Sequence, residues 1–149
     1  MLLTLLLLLF FPAGSNPPEQ LAGHWEIVPS QSNFGSLPKP SRMTVDSSVR
    51  NGIMHAVQNT YTEQGEHTTQ FDWYLDGKRH DTDKPAPGYS VTRWDGKTLV
   101  NERQSNDGAY KETIRVTLSS DGNTATEEIT TRNPAGTNHA KLIWRKAGK

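Results

Sequence analysis

The chain contains no cysteine. Disulfide frameworks, thiolate zinc sites, iron–sulfur centres and cysteine nucleophiles are therefore excluded. Neither sign of charge is in excess. Lys plus Arg and Asp plus Glu are each 16, so the net charge is zero with His neutral. The basic footprint of a nucleic-acid binder is missing, and so is the like-charge block of an interaction tail. Apolar residues are scarce, at 33%. No His pair stands at HxxxH or HExxH spacing, no Gly-x-Ser-x-Gly elbow occurs, and no Gly-rich phosphate loop precedes a helix. With 149 residues there is room for one domain and hardly two.

The one long apolar run is at the start. Leu2, Leu3, Leu5 to Leu9, Phe10 and Phe11 make a stretch too short to span a bilayer as a helix, which takes roughly 20 residues. It reads as the h-region of a secretory signal peptide over 1–15. Ala13-Gly14-Ser15 offers small residues for cleavage after Ser15. The domain is then 16–149, without stable membrane insertion after cleavage. The absence of disulfides and of Asn-x-Ser/Thr acceptors points to a bacterial periplasm or exterior.

Turn signals then recur with regularity: Asn51-Gly52, Gln64-Gly65, Asp76-Gly77, Pro87-Gly88, Asp95-Gly96, Asp107-Gly108, Asp121-Gly122 and Ala135-Gly136. Asn-Gly and Asp-Gly favour type I′ hairpins, whose two central residues need positive φ. Between them the residues are rich in Thr, Val, Ile, Tyr and Trp, which suit strands. The periodicity is two. Phe71, Trp73 and Leu75 share a face. So do Tyr110, Ile114, Val116 and Leu118, and so do Ala140, Leu142 and Trp144. Ile53, Val57 and Tyr61 are read as another inward face. Strands are expected at 23–28, 41–49, 53–62, 67–75, 78–82, 89–94, 97–104, 109–118, 124–132 and 138–146.

Hairpin-joined strands in this number form an all-β, up-and-down antiparallel meander, and curling closes it into a barrel. The Pro-rich segment 29–40 breaks the rhythm and reads as an ordered loop, with Phe34 and Leu37 packing over one mouth. Without the leader the apolar share falls to about 28%, low for a solid core, which favours a partly polar, hydrated interior. A Thr- and Asn-rich outer surface accounts for that figure equally well.

The start Leu21-Ala22-Gly23-His24-Trp25-Glu26-Ile27 resembles the Gly-x-Trp first strand of lipocalins and fatty-acid-binding-protein-like barrels, the calycins. Pro29-Ser30-Gln31-Ser32-Asn33-Phe34-Gly35, Leu75-Asp76-Gly77-Lys78 and the stretch from Leu118 to Thr124 are similar to exported bacterial lipocalin-like proteins, a family of largely unassigned function. The resemblance covers about 21–147 and implies a barrel with a ligand cavity. It also implies two departures. The 29–40 loop is too short and Pro-rich for the helical lid of fatty-acid-binding proteins. Leu142-Ile143-Trp144 stands where those proteins carry an Arg-x-Tyr carboxylate clamp. In lipocalins a late Arg packs on the Gly-x-Trp indole, and Arg145 is expected to do so on Trp25.

The candidate ligand-binding residues are Tyr61, Phe71, Trp73, Arg93, Arg103, Tyr110 and Trp144. The aromatics either fill the core or line a pocket for an apolar ligand. Arg93 and Arg103 either supply a cation for an acidic head group or face outward as salt-bridge partners. His80-Asp81-Thr82-Asp83 is the densest ligand-like cluster, and a solvated hairpin is the plainer account of it. None of the five histidines is singled out as a haem ligand. Glu127-Glu128 is a carboxylate pair, but neighbours on a strand point to opposite faces and cannot flank one substrate atom.

The expected function is an exported binding protein for a small hydrophobic or amphipathic ligand, with no cofactor, no metal and no nucleic acid. No oligomeric state is legible, and the chain is not expected to be an enzyme. Two other readings stay open: a filled barrel working through its outer surface, and a cavity enzyme of isomerase or cyclase type. A cavity of roughly 300 Å³ or more supports the carrier. An exposed apolar patch of several hundred Å² supports the filled barrel. A buried titratable residue with a displaced pKa inside the cavity supports the enzyme.

Overall fold

The computed structural model describes residues 17–148. The leader expected over 1–15 lies outside the described residues. A one-turn helix α1 (Pro17–Leu21) leads into ten strands: β1 (Gly23–Ile27), β2 (Arg42–Arg50), β3 (Ile53–Thr62), β4 (Gly65–Tyr74), β5 (Arg79–Thr82), β6 (Gly88–Asp95), β7 (Thr98–Ser105), β8 (Lys111–Leu118), β9 (Thr124–Asn133) and β10 (Gly136–Lys146). All pair antiparallel in the order β4-β3-β2-β1-β10-β9-β8-β7-β6-β5. The meander therefore closes through its first and last strands, where Ile27 lies opposite Trp144. One seam, between β4 and β5, carries no ladder. Across it the Tyr74 ring stacks on His80 at 4.0 Å, and His80 binds Asp76 at 3.0 Å. His80 does not join Asp81, its strand neighbour, which the pleat turns the other way.

Turn chemistry differs from expectation at most hairpins. Only Asn51-Gly52 has positive φ at both residues, 51° and 73°. At Asp107 and Asp121 the Asp keeps negative φ and its carboxylate closes a wider turn. Asp107 accepts from the Ser105 hydroxyl and the Ala109 N–H, and Asp121 does the same with Ser119 and Asn123. The following Gly alone takes the left-handed conformation, so these are Asx-type turns.

The two ends of the barrel are unlike. At the base, α1 tucks under the sheet. Leu21 is buried, and its carbonyl accepts from the Trp25 indole at 3.0 Å and from the Ser47 hydroxyl. Lys146 completes this plug, with its Nζ 4.7 Å above the Trp25 ring and donating to the Gln20 carbonyl at 2.8 Å. Arg145, expected in that role, faces outward opposite Glu26, because the register places the even-numbered residues of β10 inside. At the other end, the mouth, the loop after β1 contains a single 3-10 turn, Pro29–Gln31. It runs beside β10 through reciprocal Asn33–Lys141 backbone bonds of 2.7 Å. Phe34, expected over the mouth with Leu37, is buried in the core cluster, whereas Leu37 stays 53% exposed.

The core forms two neighbouring clusters. One gathers around Trp25, Ile27, Phe34, Met43, Leu142 and Trp144, the other around Leu21, Met54, Trp73 and Leu99. Each large apolar side chain so buried stabilises the fold by about 1.5–3 kcal/mol.

Candidate functional site

The register sorts every strand residue by face. Trp144 stands opposite Ala125, Leu142 opposite Glu127, Glu127 opposite Val116, and Val116 opposite Leu99. These share the inner face with Trp25, Val45, Met54, Phe71 and Trp73. All of these except Leu142 line a cavity of about 80 Å³ in the half of the barrel nearest the base. The volume is below the expected 300 Å³ because the Trp25, Trp73 and Trp144 rings and Phe71 occupy the space themselves. The Phe71 and Trp73 rings pack with centroids 5.4 Å apart. Phe71, Trp73 and Trp144, all singled out from sequence, thus line one pocket.

Among the described residues Glu127 is the sole ionisable one on this wall. Its Oε2 accepts from the Trp144 indole N–H at 2.7 Å. Its Oε1 makes no hydrogen bond among the described residues. The side chain is half-buried, with its remaining surface turned to the cavity. Burial pushes its pKa up to about 7. The Trp144 hydrogen bond opposes that shift, and the Glu112 carboxylate adds to it. The carboxyl therefore sits near half-ionisation at neutral pH. Other polar groups on the wall are neutral. Ser47 and the Trp25 indole already donate to the Leu21 carbonyl, and the Gln58 amide donates to Thr60 at 3.4 Å.

Toward the mouth the inner face turns polar. Arg103 approaches Glu112 at 3.5 Å and also donates to the Lys84 carbonyl. The Tyr110 hydroxyl donates to Glu112 at 2.9 Å. Burial, with help from Glu112, pushes the Tyr110 phenol up to about 12, so it remains a donor. Arg103 and Tyr110 do point inward, but away from the apolar cavity, and the Arg103 charge is already matched by Glu112. Nearby, Asn101 is fully buried and donates to Thr92 at 2.8 Å, while its Oδ1 has no partner.

Two candidates do not belong to the interior. Arg93 faces outward and pairs with Glu102 at 2.6 Å, since Thr92 and Trp94 take the inner positions of β6. Tyr61 also lies outside, with Arg42 5.6 Å over its ring. The inner positions of β3 are Met54, Ala56, Gln58 and Thr60, so the apolar set Ile53, Val57 and Tyr61 is the outer one. Sequence reasoning weighed Glu127 only as half of a Glu127-Glu128 pair and set it aside, and it passed over Glu112. Both sit at inward parity within alternating strands, Ala125-x-Glu127-x-Ile129 and Glu112-x-Ile114-x-Val116, and that was the available signal.

No family model matches the chain, and no curated protein matches it. Solved structures do. The fluorescent protein UnaG is 18% identical with a TM-score of 0.63, over 87% of this chain and 98% of that one. Fatty-acid-binding protein 1 of Echinococcus granulosus is 12% identical with a TM-score of 0.63, over 87% and 99%. The zebrafish ileal bile acid-binding protein, in complex with cholic acid, is 15% identical with a TM-score of 0.58, over 86% and 99%. The fold is that of the fatty-acid-binding-protein-like calycin barrels.

Proposed function

We propose that, with this fold as its premise, the protein is a binding module for a small hydrophobic or amphipathic molecule held inside the barrel. The observation that carries the reading is the apolar cavity walled by Trp25, Phe71, Trp73 and Trp144, with a polar inner face toward the mouth. Similar barrels named for fatty acids and bile acids support it. At about 80 Å³ the cavity accepts a small ring or branched alkyl group, and a larger ligand extends toward the mouth. Apolar area buried there is worth about 25 cal/mol per Å². With the leader over 1–15, the module works in the periplasm or outside the cell. Native mass spectrometry of the exported protein tests both points. A co-purified small molecule and a mass starting at Asn16 are expected. A ligand-free protein whose tryptophan emission ignores a panel of apolar probes overturns the carrier.

A second reading is favoured by one observation, the Glu127 carboxyl on the apolar cavity wall, where burial pushes its pKa up to about 7. In that reading Glu127 exchanges a proton with a bound carbonyl compound. Deuterium uptake from D2O by a small enolisable ketone, faster with the wild type than with Glu127→Gln, is the expected sign. Equal rates remove it. Outer-surface docking gains no such support: among the described residues the exposed large apolar side chains are Leu37 and Tyr74, one at each end of the barrel.

A further inference from the structure

We infer that the cavity selects an amine- or ammonium-bearing molecule over a carboxylate, with Glu127 as the residue that receives the positive head. The inference rests on the binding reading above and names the ligand class for it. Three observations carry it. Among the described residues the wall holds one ionisable group, an acid, and no cation. The Glu127 Oε2 is anchored by the Trp144 indole, which fixes the carboxyl, while Oε1 is left without a hydrogen bond and the side chain borders the void. The nearest inner-face cation toward the mouth, Arg103, is held by Glu112 and the Lys84 carbonyl, so it is not free to receive a carboxylate.

The chemistry follows from the low polarity of the site. An ammonium entering the cavity loses water, and a fixed carboxylate with an open oxygen returns a charge-assisted hydrogen bond. The indoles of Trp73 and Trp144 line the same cavity, and an aromatic wall favours a cation over an anion. A carboxylate in the same place meets the charge of Glu127, reinforced by Glu112, in surroundings that screen it poorly. On the base side Lys146, the cation that meets the Trp25 ring, is already occupied with that ring and the Gln20 carbonyl.

The test uses three probes with one small apolar body: cyclopentylamine, cyclopentanol and cyclopentanecarboxylate. Each is titrated into the whole protein at about pH 8.5, where Glu127 is ionised. The indole N–H resonances of Trp25, Trp73 and Trp144 report occupancy. The amine is expected to bind at least about tenfold tighter than the carboxylate, with the alcohol between them. Glu127→Gln is expected to bring the amine-to-carboxylate ratio to within about threefold of unity, and the Trp144 indole resonance to move in the variant. A carboxylate binding as tightly as the amine in the wild type, or a ratio unchanged in the variant, overturns the amine selection and leaves the carrier standing. Failure of all three probes to shift any indole overturns the carrier and the selection with it. Should the variant not fold, the wild-type ranking decides alone.

Discussion

Glu127 and Glu128 are chemically identical neighbours that the strand pleat sends to opposite sides of one sheet. Glu128 is exposed, while Glu127 lines the inner cavity with three indoles. Identity of the side chain therefore says little, and parity within the strand decides what it does. The same holds at Thr92 and Asn101, which face each other inside the barrel. Asn101 spends its amide on Thr92 and leaves its carbonyl oxygen unpaired, a cost of burial without compensation. Asn101→Leu alone strands the Thr92 hydroxyl and is expected to lower the unfolding free energy by about 1–3 kcal/mol. Thr92→Val combined with Asn101→Leu removes both polar groups and is expected to recover wild-type stability or exceed it. Urea unfolding of the two single variants and the double closes the cycle.

At the scale of elements, the loop after β1 is held by one glycine as much as by its hydrogen bonds. Gly35 adopts φ +61, and a Cβ there would lie 2.2 Å from the His139 carbonyl oxygen. Ser36 beside it donates twice to Asn138, at 2.7 and 2.8 Å. Gly35→Ala must displace the loop from β10, and a loss of about 1–3 kcal/mol is expected, read as a lower melting temperature. The seam between β4 and β5 is the sheet's weak line. Gly65 to Gln70 are all exposed, so the mouth half of β4 is wet on both faces. Amides of β4 that point to the seam are expected to exchange with deuterium well before those of β8, which is paired on both sides. Equal protection would mean that the seam is closed in solution.

The strands themselves were legible, because Gly-containing turns and period-two alternation act over a few residues. Every expected strand exists, with its ends shifted by two residues or fewer. The inner face was legible where it is apolar, as at Phe71, Trp73, Leu142 and Trp144. It was misread at Tyr61 because the mouth half of the interior is polar. There an aromatic residue is better placed outside, under Arg42, than inside among Gln58 and Thr60. Lys146 was hidden for a related reason. A lysine at inward parity looks wrong until the helix carbonyl that receives its ammonium is in view.

For the molecule as a whole, stability is expected to fall as pH rises through neutrality. Glu127 titrates near 4.5 when free and is pushed up to about 7 in the fold. Its contribution is therefore fully present below about pH 4.5 and lost as pH rises through about 7, a swing on the order of 3 kcal/mol. His24 acts in the same direction. Its hydrogen bond to Asp46 raises it, so its contribution is present below 6.5 and fades above the raised value, though at 39% exposure solvent weakens it. Asp107 and Asp121, lowered chiefly by Ser105 and Ser119, work the other way at the acid end, where their contribution is lost as pH falls. Denaturant midpoints between about pH 5 and 8 should decline in the wild type, and Glu127→Gln should remove most of the slope. A flat wild-type profile would remove Glu127 from the interior.

Closure through β1 and β10 brings Pro17 and Ala147 to the same pole, around α1. A biosensor chip, bead or fused reporter joined directly at Pro17 or at Gly148 therefore grips the plugged pole. The opposite rim, with its wet arginine, tyrosine and threonine lining, then faces the bulk liquid unobstructed.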